Sequence, residues 1–176
     1  DIYIAIMTII NSIREVASLP GQNIANASQP VLGYNYGVKC YKRVLEGIKF
    51  TTMTAFLAML VFWLGINLFP FQLMKIFTND FHMISHGVTA IRLYFFGFYM
   101  MAFQMSGQAV AVGLGKSKQA IFFSIFRKII IIVPLTIILP KIIGINAVFI
   151  AEAISNFIDG SACYITMWFT IGKKLK

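Results

Sequence analysis

The chain has 176 residues, of which 59% are apolar and 12% charged, with fifteen Lys and Arg against six Asp and Glu. These proportions, and a mean hydropathy of +0.79, exclude an ordinary soluble domain, in which about a quarter of residues are charged. The net charge of +9 does not indicate nucleic acid as a partner. Nucleic-acid binders gather basic residues on a polar face, whereas here they stand at the ends of apolar runs, where lipid headgroups and the insertion machinery place them.

A membrane-spanning helix needs about 20 predominantly apolar residues, and five segments meet that length. The first, residues 2–32, is unusually polar and carries Pro20-Gly21 at its centre, where a break or bend is expected. The second, 51–73, is plainly apolar, with Trp63 and Pro70 toward one end. The third, 88–112, is crowded with aromatic side chains, Tyr94 to Phe103. The fourth, 119–140, holds Pro134 as an expected kink, with Arg127 and Lys128 near one end, where long side chains can snorkel to the interface. The fifth, 146–171, runs into Gly172 and a basic tail. The connections at 33–41, 75–87, 113–118 and 141–145 are short, so the fold class expected is an all-α integral membrane protein whose 176 residues form one antiparallel transmembrane bundle.

The basic residues orient these spans. Lys39, Lys42, Arg43 and Lys49 form one group, Lys116, Lys118, Arg127 and Lys128 a second, and Lys173, Lys174 and Lys176 a third. The intervening connections hold only Lys75 and Arg92, or Lys141. By the positive-inside rule the three groups are cytoplasmic, which places the N-terminus outside and the C-terminus in the cytoplasm. The expected location is the cell inner (plasma) membrane. Chain order offers no basic leader, and the opening at Asp1 suggests a fragment or processed piece. Cys40 and Cys163 lie far apart without CxxC spacing, and a structural disulfide is not expected.

In the first span Asn11, Glu15, Ser18, Gln22, Asn26 and Gln29 recur at intervals of three or four, which draws one polar stripe along a helix. Each unpaired polar group facing lipid would cost about 2–7 kcal/mol. The stripe therefore faces neighbouring helices, as interhelical glue, or water, as the wall of a hydrated pathway. Its length and its carboxylate favour the pathway. Intramembrane ionisable groups are functional candidates. Glu15 comes first, with Arg14 as a candidate neighbouring partner, although adjacent residues on a helix diverge by about 100°. Glu152 and Asp159 lie seven apart on one face of the fifth span, with Ser155 and Asn156 beside them; Glu152 is close enough to the outer end that simple solvation is an equal reading. A carboxylate in a low-dielectric cavity holds its charge at a cost and so can bind and release a proton or a sodium ion. In the third span Gln104 and Gln108 share a face, with Tyr99, Met101 and Met105 nearby, a combination that suits flat, lipophilic cations.

Other signals are weaker. His82 and His86 have i,i+4 spacing but no third metal ligand. Gly113–Ser117 reads GLGKS but lacks phosphate-loop spacing and a preceding strand, so a tight turn is expected. Asn26-Ala27-Ser28 matches a glycosylation sequon inside a span. No nucleophile, base and orienting group assemble into a catalytic set, and enzyme activity is not expected.

The stretch Gln29-Pro30-Val31-Leu32-Gly33-Tyr34-Asn35-Tyr36-Gly37, followed by Tyr41-Lys42-Arg43-Val44, resembles the QPxxGYNYGAKNYKRV sequence of the multidrug and toxic compound extrusion (MATE) family. Gly113 to Lys118 with the run around Pro134 resembles a later cytoplasmic loop and the penultimate helix, and Asn146 to Asn156 resembles the opening of the last helix. Ala153 stands where the family often has Pro, and Asn156 where Asp is common. The resemblance implies part of a twelve-helix, two-lobed transporter, roughly helices eight to twelve of its C-terminal lobe. It further implies alternating access, Na⁺ or H⁺ as the coupling ion with no other cofactor, and export of small organic cations or drugs. The partners implied are those substrates, membrane lipids and the N-terminal half of the same transporter. Glu15, Asp159 and Glu152 are the ion-coupling candidates; Asn11, Ser18, Gln22, Asn26, Tyr99, Gln104, Gln108 and Asn156 are the substrate-cavity candidates. The alternatives are a lipid-linked oligosaccharide flippase of the same superfamily, which calls for several basic residues deep in the spans where only Arg14 qualifies, and a non-transporting membrane scaffold or degenerate fragment.

Overall fold

The computed structural model describes residues 2–144 and 147–175, leaving out the side chains of residues 117, 123, 126–128, 143 and 174. The described residues contain helices and no strand. They form α1 (Ile2–Gly37), α2 (Tyr41–Leu68), α3 (Pro70–Phe77), α4 (Phe81–Phe95), α5 (Met101–Gly113), α6 (Ser117–Ile125), α7 (Val133–Ile143) and α8 (Ala147–Thr170). Of these, α1, α2 and α8 are each long and apolar enough to cross a membrane, and Ile129–Ile142 forms a shorter apolar run.

α1 is one helix of 36 residues, about 54 Å at 1.5 Å per residue, and it runs through Pro20-Gly21 without a break. Gly21 is a contact point instead: a Cβ there would lie 2.8 Å from Met59 Sδ of α2. The helix closes in a Schellman turn, with Lys39 N–H donating to Tyr36 O and Cys40 N–H to Asn35 O. Lys39 occupies the left-handed position at φ 60°. α2 begins ten residues before the expected start at 51, taking Lys42, Arg43 and Lys49 into its first turns. It ends before the expected 73, because Phe69 precedes Pro70 and is pushed out of the α region (φ −123°, ψ 43°).

The expected outer connection at 75–87 is mostly helical. Pro70 starts α3 in the first helical turn, where its missing N–H costs nothing. Asp80 caps α4, its Oδ1 accepting from His82 N–H at 2.9 Å. The third span is broken: α4 and α5 are joined through Gly97 and a 3₁₀ turn, Phe98–Met100. The fourth is deformed, with a π-helical segment, Phe126–Ile132, between α6 and α7. That segment ends two residues before Pro134, which lacks an N–H and crowds the carbonyl four residues back; widening the helix upstream accommodates it. The start of the fifth span at Asn146 and the side chains of Arg127 and Lys128 lie outside the described residues.

α1 packs most extensively on α2 and on α5, and α5 packs in turn on α8. Two apolar cores result. The larger joins Ile6, Ile10, Met59, Met74, Ile91, Phe95 and Phe98. The smaller joins Leu32, Val44, Ile48, Val110, Leu114, Met167, Ile171 and Leu175 at the end where α1, α5 and α8 finish and α2 begins. Of the basic residues, Lys39, Lys42, Arg43, Lys49, Lys116, Lys118 and Lys173 therefore gather at this one end. At the same end Gly33 meets Gly113 backbone to backbone: a Cβ on Gly33 would lie 2.7 Å from Gly113 O, and one on Gly113 would lie 2.9 Å from Gln29 O. Elsewhere the outer surface is apolar, with Phe50, Val61, Ile76, Phe81, Ile130 and Ile142 exposed. A surface this greasy suits hydrocarbon rather than water.

Candidate functional site

The polar stripe of α1 lines one cavity. Asn11, Glu15, Ser18, Gln22, Asn26 and Gln29 all border a space of about 700 Å³, within the range of small-molecule sites. α5 closes it from the facing side with Met101, Gln104, Met105 and Gln108, α6 adds Ser124, and α8 adds Glu152. Three-and-four spacing puts each helix's contribution on a single face, and the α1–α5 crossing at Gly33 and Gly113 brings the two faces together at one end.

The far wall is held by a short relay. Gln104 Nε2 donates to Gln108 Oε1 at 2.8 Å, Gln108 Nε2 donates to Ser124 Oγ at 3.0 Å, and Ser124 Oγ donates back to Ala120 O at 3.1 Å. Both glutamine amides are thereby oriented, and α5 is tied to α6. On α1, Gln29 Nε2 donates to Asn26 Oδ1 at 3.1 Å, and Ser18 Oγ donates to Glu15 O at 2.9 Å. Tyr94 Oη donates to Asn11 Oδ1 at 3.4 Å, connecting the stripe to α4.

The charges pair differently from the arrangement suggested by sequence. Arg14 reaches Glu152 of α8, Nη2 to Oε1 at 3.3 Å, and not its neighbour Glu15. The 100° divergence of adjacent helical residues explains this: Arg14 and Glu15 border the same cavity but point to different parts of it. Glu152 is only 12% exposed in its side chain, against 33% for Arg14, so it is enclosed and ion-paired rather than simply solvated. Glu15 is exposed to the open cavity.

Three of the residues singled out by sequence lie elsewhere. Asp159 and Asn156 are buried in α8, at 1% and 2% exposure, and are not among the residues bordering the cavity. Cys163, one turn beyond Asp159, donates Sγ–H to Gln104 O at 3.6 Å and so joins that turn to the back of the cavity wall. Tyr99 belongs to an aromatic cluster, with ring centroids 5.4 Å from Trp63, 5.9 Å from Phe56 and 6.1 Å from Phe157. One contributor, Ser124, and one pairing, Arg14 with Glu152, were missed. Ser124 is a lone hydroxyl between apolar neighbours, which is itself a usable signal. The partner of Arg14 carried none, because no local pattern reports which of two distant helices lies opposite. Among the described residues no group of three potential metal ligands occurs.

The sequence profile of the family described as MatE matches residues 1–138. Among solved structures, the MATE multidrug transporter DinF-BH, determined as a ligand complex, is 30% identical, with a TM-score of 0.86 over 97% of this chain and 38% of that one. A MOP superfamily transporter from Pyrococcus furiosus, described as having a binding pocket of reverse polarity, is 22% identical, with a TM-score of 0.93 over 100% of this chain and 40% of that one. A multidrug resistance MATE family transporter in its inward-facing conformation is 21% identical, with a TM-score of 0.90 over 96% of this chain and 40% of that one. The two structures near 20% identity speak for the fold alone. The chain thus spans about two-fifths of the length of the solved structures it matches. No curated protein matches it in sequence.

Proposed function

The chain belongs to the MatE family, and on that premise we propose that it supplies one lobe of a cation-coupled antiporter that exports amphipathic organic cations by alternating access. The observation that carries this reading is the cavity. Its walls join neutral amides and methionines to two carboxylates, Glu15 and Glu152, against the single cationic side chain Arg14 among the described lining residues. A flat lipophilic cation gains from that balance through the carboxylates and the soft thioether surfaces. A lipid-linked oligosaccharide carries phosphate and would call for more basic groups; Arg14 is already paired with Glu152.

Membrane location follows from the family and the apolar helices. In the proposed arrangement α1, α2, α4 with α5, α6 with α7, and α8 make five crossings of the inner (plasma) membrane, with the basic end and the C-terminus in the cytoplasm. The N-terminal half of a twelve-helix transporter would face the α1 stripe and close the cavity. Na⁺ or H⁺ would bind at Glu15 and drive the cycle by binding one orientation of the cavity more tightly than the other, since a ligand with equal affinity for both shifts nothing. Asp159 and Asn156, inside α8, would act through the packing of that helix rather than on substrate.

The test joins the chain to its complementary half and follows efflux of a fluorescent lipophilic cation from pump-deficient cells, with Glu15→Gln at matched membrane expression. Gradient-dependent efflux that Glu15→Gln abolishes supports antiport with coupling in this lobe. Normal efflux in Glu15→Gln removes Glu15 from coupling, and a parent that exports none of a panel of cations overturns the reading.

A further inference from the structure

At the basic end a second concavity opens on the outer face of the bundle, away from the polar cavity. It encloses about 310 Å³ between Lys49 of α2 and Tyr164, Ile165, Trp168 and Phe169 of α8. We propose that this groove is a binding site for one anionic phospholipid, whose phosphate lies between Lys49 and Lys173 while an acyl chain follows the apolar wall formed by Ile165, Trp168 and Phe169.

The terminal 3₁₀ turn, Gly172–Leu175, builds the headgroup end. Leu175 is buried with Val44 and Ile48, which folds the turn back on the first turns of α2. Gly172 lies against the indole: a Cβ there would come within 2.8 Å of Trp168 Cε3, so only glycine lets the turn sit on that ring. Lys173 is then carried over Phe169, its Nζ 4.3 Å from the ring centroid. Lys49 borders the groove and Lys173 stands over the ring of Phe169, one of its walls, and among the described residues no carboxylate borders it. Below them Ile165 and Phe169 are more than half exposed, an apolar surface that water disfavours and an acyl chain covers. Trp168 sits between the two chemistries, the depth at which tryptophan concentrates in membrane proteins. Free phosphate would satisfy the lysines but leave the apolar wall bare, and a zwitterionic lipid would cover the wall but bring its own cation to the lysines. An anionic phospholipid satisfies both. The proposal needs only the membrane location, not the transport reading.

Trp63 and Trp168 are the two tryptophans of the chain, so Trp63→Phe leaves Trp168 as the sole reporter. The chain is reconstituted in vesicles doped with dibrominated phosphatidylglycerol or, separately, dibrominated phosphatidylcholine, whose bromines quench indole on contact. Phosphatidylglycerol should quench Trp168 at lower mole fraction than phosphatidylcholine. Each lysine near an anionic surface is worth roughly a fivefold gain, so the preference should be several-fold and approach about 25-fold at low salt. Lys49→Gln with Lys173→Gln should abolish the preference while leaving quenching by phosphatidylcholine intact, which also shows that the variant is folded and the groove open. Equal quenching by both lipids in the parent, an undiminished preference in the double variant, or no quenching of Trp168 by either lipid would each overturn the proposal. Displacement of the lipid by glycerol phosphate in the buffer would do so too, by assigning the site to free phosphate.

Discussion

The Arg14–Glu152 pair spans the cavity from α1 to α8, and its contribution can be worked from its geometry. At 3.3 Å, two unit charges attract by about 1 kcal/mol in water and about 5 kcal/mol at an effective dielectric of 20. The cavity is open on one side, Arg14 keeps a third of its side-chain exposure, and Arg14 Nε is buried without a hydrogen-bond partner among the described residues. Desolvation therefore offsets much of the attraction, and the net coupling should be about 1–2 kcal/mol, between exposed pairs and fully buried ones. The assay is a double-mutant cycle of Arg14→Gln, Glu152→Gln and both, unfolded by denaturant in mixed micelles. Arg14→Gln should lose about 2 kcal/mol, since it takes the cation from the enclosed Glu152, and Glu152→Gln about 1 kcal/mol, since Arg14 stays a third exposed in the open cavity. The double variant should lose less than the two singles together, the shortfall being the coupling energy. Additivity within about 0.3 kcal/mol would show that the pair contributes nothing and that the link between α1 and α8 lies in the apolar packing alone.

Two further predictions concern the basic end. Gly33→Ala and Gly113→Ala each place a methyl against immovable backbone; separating α1 from α5 should cost about 1–3 kcal/mol, a loss that the better helix propensity of alanine, about 1 kcal/mol, does not cancel. Stabilisation by either change in the same denaturant assay would refute that close crossing. The turns after α1 and α5 share one hydrogen-bond pattern, Cys40 N–H to Asn35 O in the first and Lys116 N–H to Ala111 O in the second, but Lys39 (φ 60°) fills the left-handed position in one and Gly115 (φ 71°) in the other. Lys39→Gly should therefore raise stability by roughly 0.5–1 kcal/mol and Gly115→Ala lower it by about 1 kcal/mol or more, and equal signs in thermal unfolding would contradict the assigned geometry.

The sequence was most informative where a pattern is local. A three-and-four spacing needs no knowledge of neighbours, so the α1 stripe was legible from Asn11 to Gln29, and the whole of it borders the cavity. Gln104 and Gln108 were legible for the same reason. Hydropathy was a poorer guide to where helices stop. Lys42, Arg43 and Lys49 lowered the apolar count without breaking the helix, because a helix end is set by backbone hydrogen bonding and not by polarity, so α2 began ten residues early. Pro70, read as part of the second span, starts α3, and Asp80, inside a segment read as a loop, caps α4. α1 runs unbroken through Pro20, whereas a π segment ends two residues before Pro134, and the two prolines look alike in a string of letters. What differs is the surroundings: beside Pro20, Gly21 meets Met59 of a long neighbouring helix.

Pairing across the bundle is the part no local pattern contains. Glu15, Glu152 and Asp159 look equivalent in sequence, three carboxylates in apolar surroundings, yet they occupy three different environments. Glu15 opens to the cavity, Glu152 is held by Arg14 at its edge, and Asp159 is enclosed in α8 at 1% exposure. A group that exchanges an ion with each cycle must meet water in at least one state, and a group already ion-paired must first lose its partner. On the proposed reading Glu15 would exchange an ion directly, Glu152 only once the α1–α8 link opens, and Asp159 only once its surroundings in α8 admit water. The three therefore form an order of increasing structural cost, and the double-mutant cycle at Arg14 and Glu152 measures its middle step.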